Sequence, residues 1–296
     1  MTTVEHPLII FLHIPKTGGL TLRHFLLRQY RGGAAFDHYD EWMRPIDQQS
    51  RMNPPAEGQN GRFLEDFWSL PPDRQARVRV CTGHFSFGIH EHLPAPNTYI
   101  TMLREPIDRT LSGYHYRRTL RLPDLSLREY VGDPGGVPDP QTRRVAGGEW
   151  ARGSSDTRGM LDAAKENLSA HFDMVGITER WDETLLMLAL KFGWPRPYYH
   201  RYNESHGRVT RDEVDEDLLE ILKERTQIDR ELYLFARAEF EDRLAREYPN
   251  IEHEVARLRR GNRVWRHVDR PLQGARRVRY LARSSAARTF HRVRGN

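Results

Sequence analysis

Residues Leu8–Ile14 read LIIFLHI, a continuous apolar run rich in β-branched side chains that stops at Pro15. A segment apolar at every position suits a strand covered on both faces, which is the interior of a parallel sheet. Residues Gly19–Tyr30 follow, with Leu22, Phe25, Leu26 and Tyr30 at helical spacing. That spacing gives an amphipathic helix. Between the two lies Pro15-Lys16-Thr17-Gly18-Gly19, so the chain opens as strand, glycine turn, helix. A parallel strand needs a crossover to reach its neighbour, and this unit starts one.

The pattern recurs. Val78–Cys81 reads as a second strand ending at Gly83-His84, and Thr98–Leu103 as a third ending at Arg104. Pro106 then opens a helix over Ile107–Leu120, since proline is favoured just inside a helix start. Asp173–Ile177 reads as a fourth strand. Helices are predicted over Glu179–Phe192, Arg211–Arg225 (with Thr210 as N-cap) and Ile228–Arg246. Residues 31–62 and Asp133–Gly148, rich in Gly and Pro, read as long loops. The expected fold is α/β: three layers, with a central mainly parallel sheet flanked by helices and a helical C-terminal region.

Charge divides the chain at its end. From Arg257 onward there are 13 arginines, no lysine and one acid, Asp269, a net +12; the whole chain carries +5, which leaves −7 for residues 1–256. The expected organisation is one main domain over 1–250 and a basic Arg-rich tail over 251–296. Such a tail reads either as a solvated extension or as a contact for a polyanion or a membrane surface. Cys81 is the only cysteine, which excludes an intrachain disulfide and a Cys-rich zinc site. The longest apolar stretch near the start, Leu8–Leu12, is far short of the about 20 residues of a membrane span. A cytoplasmic protein is expected, possible contact of the tail with a membrane aside.

In an open parallel sheet, ligands gather at the carboxyl ends of the strands. Three polar clusters fall there. The first is His13-Ile14-Pro15-Lys16-Thr17-Gly18-Gly19-Leu20-Thr21. A helix N-terminus after a glycine turn presents unpaired N–H groups to an anion, and Lys16 adds a full charge. The Walker pattern GxxxxGK[ST] is absent, because the lysine precedes the glycines. The second is Leu103-Arg104-Glu105-Pro106, with Ser112 two turns into the following helix. A guanidinium at a strand end suits a phosphate. The third is Gly83-His84-Phe85, where a neutral imidazole suits proton abstraction near pH 7. His13 reads as a histidine that shapes the turn, and His90 and His92 as solvent-facing. Gln141-Thr142-Arg143-Arg144 reads either as acceptor-groove lining or as ordinary surface loop. Each cluster alone is weakly specific.

Taken together and in order, these clusters resemble the sulfotransferases that use 3′-phosphoadenosine-5′-phosphosulfate (PAPS). The resemblance is nearest to the branch of the heparan-sulfate 2-O- and 6-O-sulfotransferases and their bacterial relatives. Gly176-Ile177-Thr178-Glu179-Arg180-Trp181-Asp182-Glu183-Thr184 and Asp229-Arg230-Glu231-Leu232-Tyr233 extend it, so that it covers about residues 8–245. It implies a P-loop-like fold and transfer of a sulfuryl group from PAPS to an acceptor hydroxyl of a carbohydrate, with 3′,5′-adenosine bisphosphate as the other product and no metal. Lys16, Thr17, Gly18, Gly19 and Thr21 would hold the 5′-phosphosulfate, with Lys16 neutralising the leaving group. Arg104 and Ser112 would hold the 3′-phosphate, and His84 would be the base. Leu20 departs from the pattern, since the family often carries a hydroxyl there. Two other readings stand beside this one: a nucleotide-dependent kinase on a related fold, and a non-catalytic polyanion binder working through the tail.

Overall fold

The computed structural model describes residues 7–38, 56–120, 124–133, 136–199 and 209–265. Five strands form one sheet: β1 (Leu8–Leu12), β2 (Ala35–Asp37), β3 (Val80–Gly83), β4 (Asn97–Leu103) and β5 (Phe172–Ile177). Their order is β2-β3-β1-β4-β5, and every pairing is parallel. The helices are α1 (Gly19–Gln29), α2 (Ala56–Trp68), α3 (Pro72–Gln75), α4 (Pro106–Leu120), α5 (Leu127–Gly132), α6 (Pro140–Ala146), α7 (Gly148–Ala151), α8 (Thr157–His171), α9 (Trp181–Lys191), α10 (Glu216–Arg225) and α11 (Gln227–Glu247). A twelfth, α12, covers 251–265. This is the three-layer α/β arrangement expected from the sequence.

β1 is buried along its whole length because apolar side chains leave it on both faces. It is also where the strand order turns. After β1 the chain moves to β2, on one side; after β4 it moves to β5, on the other. The helices that follow β1 and β4 therefore lead away to opposite sides, and the ends of these two strands are where such a sheet places a ligand crevice. Register aligns the rims: Leu12 pairs with Gly83 on one side and with Thr101 on the other. The Thr101 hydroxyl closes that edge by donating to the Leu12 carbonyl at 2.8 Å.

Several expectations change. Asp133–Gly148 is not all loop, for it contains α6, whose ends are held by side chains from distant helices. Asp229 on α11 accepts from the Gln141 and Thr142 amides, and Asn167 on α8 donates to the Val145 and Ala146 carbonyls. The helix expected over 211–225 begins instead with a 3₁₀ turn, Arg211–Glu213, where Glu213 accepts from the Thr210 N–H and hydroxyl; α10 starts at Glu216. The loop expected over 31–62 contains β2 and the start of α2, while residues 39–55 of it lie outside the described residues. Of the basic segment, α12 packs on the domain through Ile251, Val255 and Leu258, and Arg259 pairs with Asp182. Residues 266–296 lie outside the described part. No helix among the described residues is long and apolar enough to cross a membrane. Cys81 is fully buried in β3, and burial raises its thiol pKa.

Candidate active site

The turn after β1 is shaped by backbone that ordinary residues avoid. Gly18 has φ +79° and Lys16 has φ +73°. Glycine adopts that region without cost, but a lysine there is strained by roughly 1–2 kcal/mol, so the turn needs anchors. The Thr17 hydroxyl donates back to the Ile14 carbonyl at 2.9 Å, and the Thr178 hydroxyl donates to the Thr17 carbonyl at 2.7 Å. Arg104 Nη1 donates to the Lys16 carbonyl at 3.3 Å, which ties the first and second sequence clusters together.

The glycines have no room for a side chain. A Cβ on Gly18 would meet the Trp181 ring at 3.0 Å, and one on Gly19 would fall 2.0 Å from His13 Cδ2. The first turn of α1 holds no acid, and no side chain caps it. An N-terminus of this kind, with Lys16 and Arg104 beside it, fits an anionic ligand. The Lys16 ammonium lies 4.1 Å from the centre of the Tyr116 ring. Thr21 is buried one turn into α1, and its N–H bonds the Gly18 carbonyl. Ser112 is buried on α4, four residues before Tyr116 and so on the helix flank that faces Lys16.

Arg104 is fixed through its backbone. Gln141 Oε1 accepts from the Arg104 N–H at 3.0 Å, and Gln141 Nε2 donates to the Arg104 carbonyl at 2.9 Å. On either side, Thr178 donates to the Leu103 carbonyl and Glu179 accepts from the Glu105 N–H. The Tyr233 hydroxyl in turn donates to Glu179. The sequence reading gave none of Gln141, Thr178, Glu179 and Tyr233 this role. All four sit in segments already singled out, but only Thr178 and Glu179 follow a predicted strand end; Gln141 and Tyr233 carried no local signal of this role.

His84 reaches the same crevice from β3. Its Nδ1 lies 2.8 Å from the His13 carbonyl, a group that only accepts, so Nδ1 carries the proton and Nε2 keeps its lone pair. The His13 and His84 rings lie 4.4 Å apart. Burial first and Arg144 second push the His84 pKa down to about 3, so the imidazole is neutral at physiological pH. His13 is lowered well below its ordinary value, chiefly by burial.

Lys16, Thr17, Gly18, Gly19, Thr21, Arg104 and His84 thus come from the ends of three adjacent strands. His90 does not join them. It lies half-buried in the 3₁₀ turn before β4, against Phe87, Tyr99 and His171 at the opposite rim; His92, in the same turn, is exposed. Nor do Arg143 and Arg144 serve as loose groove cations. Arg143 donates to the carbonyls of Pro138, Trp150 and Ser154, and Arg144 to those of His84 and Phe85. Among the described residues no cluster of three or more His, Cys, Asp or Glu side chains has metal-binding geometry.

The structure is an α/β fold that brings the glycine turn, Lys16, Arg104 and a neutral histidine to the carboxyl ends of three adjacent strands. Comparison with known proteins points the same way. A "Heparin sulfate O-sulfotransferase" of Drosophila melanogaster is 30% identical to this chain over 173 residues, 48% of each protein. The chain therefore matches about half the length of that relative. The resemblance to the sulfotransferases read from the sequence is borne out by it. A solved sulfotransferase from Alicyclobacillus acidocaldarius overlays on 79% of this chain and 97% of its own, at 14% identity and a TM-score of 0.43, too distant to bear on function. No protein-family model matches the chain.

Proposed function

We propose that this protein is a sulfotransferase that uses PAPS as donor and a carbohydrate hydroxyl as acceptor. The observation that carries the reading is the His84–His13 hydrogen bond. It leaves the His84 Nε2 lone pair to take a proton just past β3, while His13 leads, three residues later, into the lysine of the turn after β1. A base and a leaving-group cation on neighbouring strands are what transfer between two oxygens requires. The Drosophila relative supports the sulfated-carbohydrate class of acceptor.

PAPS supplies an activated sulfuryl group whose departure leaves negative charge on a phosphate oxygen. Lys16 and the N–H groups opening α1 neutralise that charge, and Thr17 and Thr21 add hydroxyl donors. Arg104 and Ser112 hold the 3′-phosphate, which separates this donor from ordinary nucleotides. His84 Nε2 takes the acceptor proton as the new oxygen–sulfur bond forms and the bond from sulfur to the phosphate oxygen breaks. Negative charge brought to the cradle opposes the effects that depress the His84 pKa and so raises its basicity when the donor is present.

Calorimetric titration with 3′,5′-adenosine bisphosphate, without metal and beside AMP and ATP, tests the donor site. Micromolar binding of the bisphosphate, weak AMP binding, and loss of the signal in Lys16→Ala and Arg104→Ala are expected. Loss of one charge-assisted contact in Arg104→Ala costs about 1.5–3 kcal/mol. Equal preference for ATP with magnesium would move the kinase reading forward. His84→Ala is expected to keep bisphosphate affinity and lose transfer from PAPS; near-normal transfer would remove His84 as the base.

A further inference from the structure

α6 has only seven residues, yet it touches both arms of the site. Gln141, in its first turn, accepts from the Arg104 N–H and donates to the Arg104 carbonyl. Arg144, one turn later, donates to the His84 carbonyl at 2.7 Å, and its own carbonyl accepts from the Phe87 N–H at 2.8 Å. Just past its end, a Cβ on Gly147 would lie 2.5 Å from the Phe87 carbonyl, so the packing against the His84 segment admits no side chain. The helix is too short to hold itself, since nucleation costs more than so few hydrogen bonds return. Its stability comes from outside.

The main outside support is Asp229 on α11, which is fully buried. One carboxylate oxygen accepts from the Thr142 N–H at 2.7 Å and from the Thr142 hydroxyl at 2.8 Å; the other accepts from the Gln141 N–H at 3.2 Å. The Asp229 N–H donates to Asp139, the residue before α6. The half-buried Arg109 on α4 lies close enough to offset part of the charge.

We propose that Asp229 is a positioning residue: it seats α6, and α6 fixes the Arg104 peptide and the His84 carbonyl together, so that the donor-phosphate arm and the base arm keep one spacing. This deepens the sulfotransferase reading and rests on it for the roles of Arg104 and His84. The chemistry is particular to a carboxylate. An asparagine has one accepting oxygen, already filled by the Thr142 N–H and hydroxyl, and would turn an NH₂ donor toward the Gln141 N–H.

The test has a ligand-free readout and a ligand-bound one, on wild type, Asp229→Asn, Gln141→Leu and Arg144→Met. Amide hydrogen exchange is followed at Arg104 and Phe87, with amides of β1 as the control for global unfolding. Asp229→Asn is expected to speed exchange at both sites by about tenfold or more and to shift the His84 ring resonances, with β1 unchanged. Gln141→Leu is expected to act at Arg104 alone, and Arg144→Met on the His84 ring alone. In parallel, Gln141→Leu and Asp229→Asn are expected to weaken 3′,5′-adenosine bisphosphate binding about tenfold, while Arg144→Met stays within twofold of wild type. Failure of wild type to bind the bisphosphate refutes the sulfotransferase reading, and the exchange data still decide the seat. Exchange that rises at only one arm in Asp229→Asn overturns the proposal. If that variant does not fold, wild-type exchange at Arg104 in Gln141→Leu, or an unshifted His84 ring in Arg144→Met, overturns it equally.

Discussion

Thr178→Val tests how the anion turn is held. The Thr178 hydroxyl has one proton, shared between the Thr17 carbonyl at 2.7 Å and the Leu103 carbonyl at 2.9 Å. Valine keeps the shape and removes the donor. The net loss of one such bond is about 0.5–1.5 kcal/mol, and leaving a carbonyl unsatisfied adds to it, so about 1–2 kcal/mol is expected. At roughly 2–4 °C per kcal/mol for a domain near this size, the melting temperature falls by about 2–8 °C. The bond also links the turn to the end of β4, so part of the loss must be restored when a ligand orders the turn. Calorimetry with 3′,5′-adenosine bisphosphate then reads a dissociation constant weakened by about three- to tenfold, the equivalent of roughly 0.7–1.4 kcal/mol. A lowered melting temperature with unchanged affinity would refute the reasoning, because Thr178 would then stabilise the domain without shaping the cradle.

Three further outcomes follow from the same geometry. Gly19→Ala sets a Cβ 2.0 Å from His13 Cδ2 and displaces that ring from its place beside His84; a stability loss of about 1–3 kcal/mol and a shifted His84 ring resonance are expected by denaturant melts and NMR. His84 titrates near 3 in the folded protein and near 6.5 when unfolded, so the unfolded chain binds the extra proton in that window and stability falls as pH drops below 6.5; His84→Gln should flatten the slope of melting temperature between pH 6.5 and 5. Removing residues 266–296 leaves α12 in place and takes away most of the basic segment's charge, so salt-dependent heparin binding should drop; unchanged heparin binding would take the tail out of polyanion recognition.

The sheet was legible because β1 is apolar at every position and β4 is rich in β-branched and apolar residues, and the place of the site followed from where those strands stop. Lys16, Arg104 and His84 stood out because a charge or an imidazole directly after a buried strand has few structural reasons to be there. α8 was missed although Met160, Leu161, Ala164 and Leu168 keep helical spacing and Asp156 caps the Gly159 N–H. α6 was hidden for a different reason. Its sequence, Pro-Gln-Thr-Arg-Arg-Val-Ala, carries little helical signal, and the groups that hold its ends, Asp229 and Asn167, lie 88 and 22 residues from their partners. Long-range side-chain seats leave no local pattern to read. The same holds for Thr178 and Glu179, whose sequence motif could be noticed but whose partners could not be named.

The rim of the sheet has a consequence for how such a protein can change. Leu12 stands level with Gly83 and Thr101, and neighbouring strands lie about 4.8 Å apart, so the three site-bearing loops start from a fixed grid. A residue inserted within β1, β3 or β4 would slide one loop by about 3.3 Å against the others and reverse the faces of the side chains beyond it. A residue inserted farther along a connection, as between α4 and α5, leaves the grid intact. Descendants of this chain are therefore free to vary in length at the far ends of their loops, while the strands that meet at the crevice admit substitution but not insertion.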